Sequence, residues 1–338
     1  MVKLGTLSLD HPHSRGNHIP ALRYLGKKLQ VAAICHPDEA FARPWVEQFG
    51  ARWYATRDEL LADPDITAVL VTSKNDRHAQ DCIAAARAGK DILCDKPIAI
   101  SPESAAAIRD AVEQAGVRFV TTFPVRFNTT VRAVKRLIDE GKLGRIKAVM
   151  ATNHGCMYEP GAPEWVKHTA SNGGGCIVDH TVHVADIIRW YTGSEFATVQ
   201  AMAEHALHDD IDGEDVGVLQ GTLQDGTVYQ IDTTWSRMGR DPMWGDVTFR
   251  IVGTEGTVSM DIYNNQRIDF YTQGKLETLY ANNIVREHGE VFCDYCDAVE
   301  RGLPSINAGV VDGLRGVELV YAGYESLQTG APVTVKHR

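Results

Sequence analysis

The chain has 338 residues, of which 44% are hydrophobic and 23% charged, and its formal net charge is -10 at pH 7. This length exceeds the usual span of one hydrophobic core, so two domains are expected. The negative charge argues against a nucleic-acid partner, because such binding depends on Lys and Arg neutralising phosphates. No apolar run approaches the ~20 residues of a membrane span. The first ten residues lack the features of an export signal, so we expect a cytoplasmic protein without membrane insertion.

Residues 1–122 alternate strand-like and helical segments. One helix has a clear start, with Ser101 as N-cap and Pro102 at the first helical position, and it ends at Gly116. The alternation predicts an α/β domain of the Rossmann type, in which a doubly wound parallel sheet carries helices on both faces. The predicted strands are residues 2–9, 30–35, 66–73, 90–95 and 117–123.

From residue 123 to residue 338 the pattern favours an α+β domain. Longer alternating strands predict a large, mostly antiparallel open sheet, and Asp225-Gly226 predicts a hairpin turn. An open sheet with one uncovered face is often an oligomer interface, so we expect a homodimer or homotetramer through this sheet. The predicted strands lie in residues 145–155, 198–207, 216–236 and 246–272. One predicted helix starts at residue 129 and ends near Gly141, and another spans residues 309–330.

The seven cysteines are an odd number, which suits reduced thiols better than a disulfide framework. Cys293 and Cys296 have the spacing of half a zinc site or a redox pair. They lie in a helical pattern without a second such pair, so we interpret them as buried or inert.

The loop after the first strand, "SLDHPHSRGNHIPAL", departs from the usual dinucleotide motif. A doubly wound sheet normally holds a pyrophosphate there through three glycines, and none of them is recognisable in this chain. Ser8, Asp10 and His13 occupy the simplest alignment, and backbone amides at a helix start, assisted by Arg15, can still hold a phosphate. Loss of dinucleotide binding is the alternative.

The second strand ends in "AAICHPD", where His36 takes the position of the acidic residue that usually binds the adenosine ribose. NADP carries a 2'-phosphate on this ribose, and a side chain without negative charge does not repel it. The cofactor choice between NAD and NADP therefore stays open.

"CDKP" follows the strand-like run "KDILCD", at a carboxyl end where a catalytic group would face a cofactor. Pro97 fixes the chain direction, and a lysine such as Lys96 in a closed cleft can stabilise a developing alkoxide. An exposed lysine after a strand is the simpler alternative.

The stretch "GGGCIVDHTVHVAD" places Asp179, His183 and Asp186 on one helix face, while His180 points about 100° away. The three preceding glycines would let the backbone approach a ligand closely. A histidine with a carboxylate one turn before and one turn after it is suited to accept a proton near neutral pH. A surface salt-bridge stripe is the alternative.

A zinc site is a further alternative at the same helix. Asp179 and His183 offer two ligands, and His11 or His13 offers a third, which suffices for a catalytic zinc ion. Our main interpretation assigns no metal.

With these motifs the sequence resembles the family of glucose-fructose oxidoreductase, inositol dehydrogenase and rhizopine-catabolism proteins, Gfo/Idh/MocA. The resemblance covers nearly the whole chain and rests on residues 66–105, 173–186 and 312–335, with Asp95 replacing the glutamate of the family's Glu-Lys-Pro. It implies hydride transfer between a hydroxyl of a sugar, cyclitol or derivative and NAD or NADP. Lys96 would stabilise the alkoxide, His183 would be the base, and Asp179 would hold the hydroxyl and orient the histidine.

The resemblance also implies the wider site. A loop beside the cofactor riboses contains Ser73, Asn75 and His78, with Lys74 where proline is usual. Candidate cofactor-binding residues are Ser8, Asp10, His11, His13, Ser14, Arg15, His36, Thr72, Ser73, Asn75, His78, Asp95 and Lys96. Candidate substrate-binding residues are Arg126, Trp165, His168, Asn172, Asp179, His180 and His183.

Three rival functions remain at this point. One is a redox-neutral glycosidase or lyase that uses the cofactor transiently. Another is a regulator that binds nucleotide or sugar without turnover, and the third is a zinc hydrolase. The identity of the sugar or polyol does not follow from the sequence.

Overall fold

A computed structural model describes residues 1–23, 25–26, 28–157, 163–237, 245–262, 267–272, 274–280 and 287–338. Part of the predicted strand stretch 246–272, residues 263–266, lies outside the described residues. Among the helices of the described part, none is long and apolar enough to cross a membrane.

The first sheet has six strands in the order β3-β2-β1-β4-β5-β6, and every neighbouring pair is parallel. This confirms the doubly wound sheet. The strand β3 was not predicted, because three residues are too few to reveal a period of two. The strands are β1 (Val2–Thr6), β2 (Leu29–Cys35), β3 (Arg52–Tyr54), β4 (Ala68–Val71), β5 (Asp91–Cys94) and β6 (Phe119–Thr121).

Helices connect these strands. In the predicted helix after Ser101, the Ser101 hydroxyl accepts the Ser104 N–H at 3.1 Å, and the helix ends at Gly116 as expected. In its described residues, the connection between β1 and β2 contains only short helical segments. A π-helical turn, Ser14–His18, runs directly into a single α-helical turn. The helices are α1 (Ile19–Leu22), α2 (Glu39–Phe49), α3 (Arg57–Ala62), α4 (His78–Arg87) and α5 (Pro102–Ala115).

The strand order reverses between β1 and β4, and ligands of such sheets bind in the crevice at this point. The loops that leave the two strands are tied together across it. The Thr72 hydroxyl donates to the Ser8 carbonyl at 2.7 Å, and the His11 N–H donates to the Thr72 carbonyl at 3.1 Å. The topology therefore brings both predicted cofactor loops to one crevice.

The second sheet has nine strands in the order β14-β13-β12-β11-β7-β10-β9-β8-β15. Among the described strands, β7 and β10 pair in parallel and the other neighbours are antiparallel, which confirms the mostly antiparallel sheet. The strands are β7 (Ile146–Cys156), β8 (Phe196–Glu204), β9 (Val216–Leu223), β10 (Val228–Arg237), β11 (Gly245–Gly253), β12 (Gly256–Asp261), β13 (Arg267–Thr272), β14 (Lys275–Tyr280) and β15 (Val333–Thr334).

Two long helices, α8 (Cys176–Thr192) and α10 (Val310–Thr329), cover the inner face of this sheet. Both contain residues of the same buried core as Val149, Leu219 and Trp235 of the strands. The longer helix also packs on α5, so it joins the two sheets. The helices of this half are α6 (Thr129–Asp139), α7 (Thr169–Asn172), α8 (Cys176–Thr192), α9 (Glu287–Arg301) and α10 (Val310–Thr329).

A buried ion pair fastens α8 to the turn that follows β6. Arg126 lies in that turn, Pro124–Phe127, and its guanidinium donates to both carboxylate oxygens of Asp186, at 2.7 and 2.6 Å. The arginine is 5% exposed and also donates to the Ile306 carbonyl at 3.2 Å. Because a buried charge without its partner is strongly destabilising, each member of the pair depends on the other.

We predict that Arg126→Met lowers the free energy of unfolding by about 3–5 kcal/mol, since it leaves the Asp186 carboxylate buried without the guanidinium that is hydrogen-bonded to both of its oxygens. Denaturant unfolding of the full chain measures this loss. The matched control is Arg43→Met, which removes an exposed i,i+4 partner of Glu39 at 3.8 Å and should leave stability unchanged within error. Equal losses in the two variants would contradict the prediction.

Candidate active site

The centre of the site is an ion pair between Lys96, just after β5, and Asp179, in the first turn of α8. The Lys96 ammonium donates to the Asp179 carboxylate and, at 3.1 Å, to its backbone carbonyl. The lysine is only 4% exposed, so the alternative of an exposed lysine is wrong. Burial opposes ionisation of Asp179, but the charges of Lys96 and His180 hold the pKa of this carboxyl well below its usual range.

The second carboxylate oxygen of Asp179 also has protein partners. The Trp235 Nε1–H donates to it at 3.1 Å, and His180 Nε2 lies 3.2 Å from it. The other ring nitrogen of His180 lies 3.1 Å from the Asn153 carbonyl. Asp179 is thus held from three sides, in a position that fixes the Lys96 ammonium.

His183 lies one helical turn after Asp179. Its ring meets the Phe123 ring edge to face, with centroids 5.6 Å apart. In the described part of the chain, Nδ1 of His183 has no hydrogen-bond partner, and no hydrogen bond joins the ring to Asp179 or Asp186. Burial and the Lys96 charge lower the pKa of His183 well below its usual value, so the imidazole is neutral near pH 7. A neutral imidazole can accept a proton, but orientation by the two carboxylates stays a prediction.

The loop after β1 folds its histidines inward. Nδ1 of His11 and Nδ1 of His13 lie 3.4 and 3.0 Å from Asp95 Oδ2. Ser14 is fully buried at the start of the π-helical turn. The Arg15 guanidinium lies 5.5 Å from the centre of the Phe41 ring.

The loop after β4 is fixed to both neighbouring segments. The Asn75 amide donates to the Asn172 side chain at 2.8 Å and to its backbone carbonyl at 3.0 Å, which links the loop to α7. The His78 ring lies between two carbonyls, 3.0 Å from that of Ser73 and 2.8 Å from that of Pro97. The predicted residues of this loop therefore meet the Lys96 segment and the end of α7.

The three glycines before α8 are packed against protein. A Cβ at Gly174 would clash with the Tyr324 hydroxyl, and one at Gly175 would clash with the backbone of Glu214. The Glu214 carboxylate accepts the N–H groups of Gly175 at 3.1 Å and Ile177 at 3.0 Å, and so satisfies the start of the helix. The backbone approach predicted for a ligand is here an approach of a protein segment, which the sequence did not reveal.

The remaining predicted residues surround this centre at different depths. Trp165 is 7% exposed, and its ring lies 5.4 Å from that of His11. His168 is exposed and lies 3.3 Å from Asp212. The His36 ring packs against Phe41 at 4.6 Å, with Nε2 3.9 Å from an Asp10 oxygen. Arg126, by contrast, has its guanidinium engaged on Asp186, so contact with a ligand stays a prediction.

Several buried polar atoms in these segments fit a dinucleotide that supplies the missing partners. Buried polar groups are nearly always hydrogen-bonded, so an unpaired one indicates a ligand or water. In the described residues, the atoms of this kind next to the crevice are Arg15 Nε, Ser73 Oγ, Asn75 Oδ1, Trp165 Nε1 and His183 Nδ1.

Comparison with known families matches both halves of the chain. Residues 14–123 match the model "Oxidoreductase family, NAD-binding Rossmann fold", and residues 131–259 match the GFO/IDH/MocA C-terminal domain.

Curated relatives include sugar and cyclitol enzymes. Levoglucosan dehydrogenase of Pseudarthrobacter phenanthrenivorans is 30% identical over 289 residues, which cover 77% of this chain and 70% of the relative. Inositol 2-dehydrogenase of Rhizobium meliloti is 28% identical over 294 residues, 83% of this chain and 84% of the relative. 1,5-Anhydro-D-fructose reductase of Ensifer adhaerens is 33% identical over 202 residues, 60% of this chain and 59% of the relative.

Solved structures share the fold over the full length. A levoglucosan dehydrogenase in complex with NADH and levoglucosan superposes with a TM-score of 0.88 at 23% identity, covering 99% of both chains. The two family matches and the 30% identity to a relative of which 70% is covered establish the assignment. The chain therefore belongs to the Gfo/Idh/MocA family and is an oxidoreductase with an NAD-binding Rossmann domain.

Proposed function

We propose that the protein reversibly oxidises a hydroxyl of a sugar, cyclitol or sugar derivative, with NAD or NADP as cofactor. The observation that carries the proposal is the buried Lys96 ammonium, which is paired with Asp179. His183, whose imidazole is neutral, lies one helical turn after Asp179. The named activities of the relatives, on levoglucosan and inositol, support this substrate class.

Each of the three residues has a distinct role in this proposal. The Lys96 charge stabilises the oxygen of the substrate as its proton leaves, because a buried ammonium acts more strongly there than in water. Nδ1 or Nε2 of His183 accepts that proton. Asp179 holds the lysine in place through its carboxylate and its backbone carbonyl. A bound nicotinamide supplies the hydride acceptor, and its chemistry belongs to the cofactor.

The cofactor would lie along the crevice between the loops after β1 and β4. Ser73, Asn75 and Arg15 offer it the polar atoms that lack partners among the described residues. We propose residues 1–122 as the dinucleotide domain and residues 123–338 as the substrate and oligomerisation domain. In support, β6 ends at Thr121 and α6 begins at Thr129.

We also propose that substrate recognition is divided between contact and support. Trp165 can contact a ligand, since it lies beside the crevice with its indole N–H unpaired among the described residues. His168 is exposed at the rim. We assign a supporting role to three residues whose side chains contact protein groups: His180, Asn172 and Arg126.

The outer face of the second sheet supports the proposal of a homo-oligomer. By strand register, this face presents five large apolar side chains that are 36–57% exposed: Met150, Met202, Val228, Tyr271 and Leu276. Gln230 and Arg250 lie beside Met150 on the same face, and interfaces between proteins commonly combine apolar and polar side chains. We propose that a second copy of this chain binds to this face.

We predict that a panel of sugars and polyols with NAD or NADP contains a substrate whose turnover generates reduced nicotinamide. With it, Lys96→Met should lower kcat/KM about 10²- to 10⁴-fold, because the charge beside the developing alkoxide is lost. Lys28→Met, which removes a surface partner of Asp297, is the control and should retain activity.

Product analysis completes this experiment. Cleaved substrate without net reduced nicotinamide would identify a redox-neutral lyase or glycosidase. Binding of nucleotide without chemistry on any substrate would indicate a regulator. Unchanged turnover in Lys96→Met would reject the role of the lysine.

The pH dependence tests His183. Because its pKa is lowered, the ring loses its proton at lower pH than usual, so oxidation should stay active below pH 6.5 and decline only at more acidic pH. Lys96 contributes to the lowering, so the residual activity of Lys96→Met should decline at a higher pH than that of the wild type. Profiles of kcat/KM against pH measure both limbs. An acidic limb at the same pH in the wild type and in Lys96→Met would exclude His183 as the base.

A charge introduced on the outer face of the second sheet tests whether this face forms the interface of a homo-oligomer. Val228→Glu should reduce the molecular mass measured by light scattering, because it places a carboxylate in an apolar interface. Leu303→Glu, at an exposed leucine outside both sheets, is the control. A monomeric wild type, or an unchanged mass in Val228→Glu, would refute the interface.

A further inference from the structure

A group of histidines surrounds Asp95 between the loop after β1 and the end of β5. His11 and His18 are 0% and 1% exposed, and Asp95 is 2% exposed. The ligand atoms offered by His11, His13 and Asp95 all lie within 4.8 Å of one another. The proposed oxidation uses none of these three side chains in its proton transfer, so the cluster needs an explanation of its own.

The Asp95 carboxylate is oriented so that Oδ2 faces His11 and His13. Oδ1 accepts the Lys96 N–H at 2.9 Å and the Thr122 hydroxyl at 3.2 Å. Oδ2 is turned to Nδ1 of His11 and Nδ1 of His13. Oδ2 forms a hydrogen bond with Nδ1 of His13 at 3.0 Å, which an ion bound between the two atoms would replace, while the bonds to Oδ1 hold the carboxylate as they hold a metal ligand.

Hydrogen bonding also fixes the state of His11. Its Nδ1 accepts the backbone N–H of His13 at 3.1 Å, so this nitrogen carries no proton, and a metal ion would take the place of that N–H on its lone pair. The same nitrogen lies 3.4 Å from Asp95 Oδ2, which is likewise an acceptor. Two acceptor atoms at this distance repel each other, and a cation between them turns the repulsion into attraction.

The distances match a metal of the first transition row. Bonds of ~2.0–2.1 Å in a tetrahedral site put neighbouring ligand atoms roughly 3.3 Å apart. Asp95 Oδ2 lies 3.4 and 3.0 Å from the two histidine nitrogens. Imidazole nitrogens favour such metals over Ca²⁺ and Mg²⁺, which prefer oxygen ligands.

His18 provides an independent observation. It is buried, and neither of its ring nitrogens makes a hydrogen bond within the described part of the chain. Its Nε2 points at the same carboxylate, 3.4 Å from Asp95 Oδ1. An imidazole in this position can serve as a further ligand or bind a water of the ion.

We propose that His11, His13 and Asp95 bind one divalent transition-metal ion of the Zn²⁺ type, with His18 beside it. This ligand set differs from the zinc alternative drawn from the sequence, since Asp179 is engaged by Lys96 and Asp95 takes its place. Three protein ligands leave a coordination position open for an oxygen atom of a bound molecule. Asp95 directly precedes Lys96, so the ion lies next to the proposed active site.

The test uses the full chain after removal of any polyhistidine tag and of metal by chelation. Titration with Co²⁺, followed by its visible absorption, should reach one equivalent per chain, and Zn²⁺ should displace the signal. His13→Asn should weaken Co²⁺ affinity by at least about 10-fold. His13 is partly exposed, so the substitution is compatible with folding. His205→Asn, at an exposed histidine outside the cluster, should bind as the wild type does.

A second measurement does not depend on any variant. The X-ray absorption spectrum of the wild-type Zn²⁺ complex should show nitrogen and oxygen ligands with two imidazoles. Sulfur in the coordination shell, substoichiometric binding, or equal affinity of His13→Asn and wild type would overturn the proposal. Metal binding is measured without turnover. Failure to bind metal would therefore leave the proposed oxidation intact, and a missing dehydrogenase activity would leave the metal site intact.

Discussion

The ion pair between Lys96 and Asp179 sets the position of every group in the site. It joins the end of β5 in the first sheet to the first turn of α8 above the second sheet. Two charges withdrawn from water are stable only when each has good partners. The Trp235 indole, His180 and a backbone carbonyl supply those partners, so the polar centre is rigid before any ligand arrives.

A second ion pair acts on the same helix face. Asp186 lies seven residues after Asp179 and pairs with Arg126, which follows β6. Since β5 and β6 are neighbours in the first sheet, adjacent strands hold α8 at two points. His183 lies between these points. The alternative of a surface salt-bridge stripe is wrong, because both carboxylates are buried and pair with residues outside the helix. These carboxylates anchor the helix, and the histidine between them stays available for chemistry.

The sequence predicted most of the fold, because both sheets arise from local periodicity. It also predicted which loops meet, since the carboxyl ends of parallel strands share one edge. It did not predict the partners of the charged residues. Trp235 follows the alternation of β10, which indicates burial but not contact with Asp179, and Glu214 has no local signal for capping α8. The pairing of Asp95 with three histidines depends on contacts across more than seventy residues, which no local pattern encodes.

The loop after β1 connects these findings. A glycine turn binds a pyrophosphate because backbone N–H groups approach the phosphates without side chains between them. This chain fills the same loop with imidazoles that turn inward to Asp95, while Arg15 lies on the Phe41 ring. Without those glycines, side chains or an ion can supply positive charge for the phosphates. A metal held by His11, His13 and Asp95 would supply that charge at the point where the glycines are missing, so the altered loop and the histidine cluster have one physical explanation.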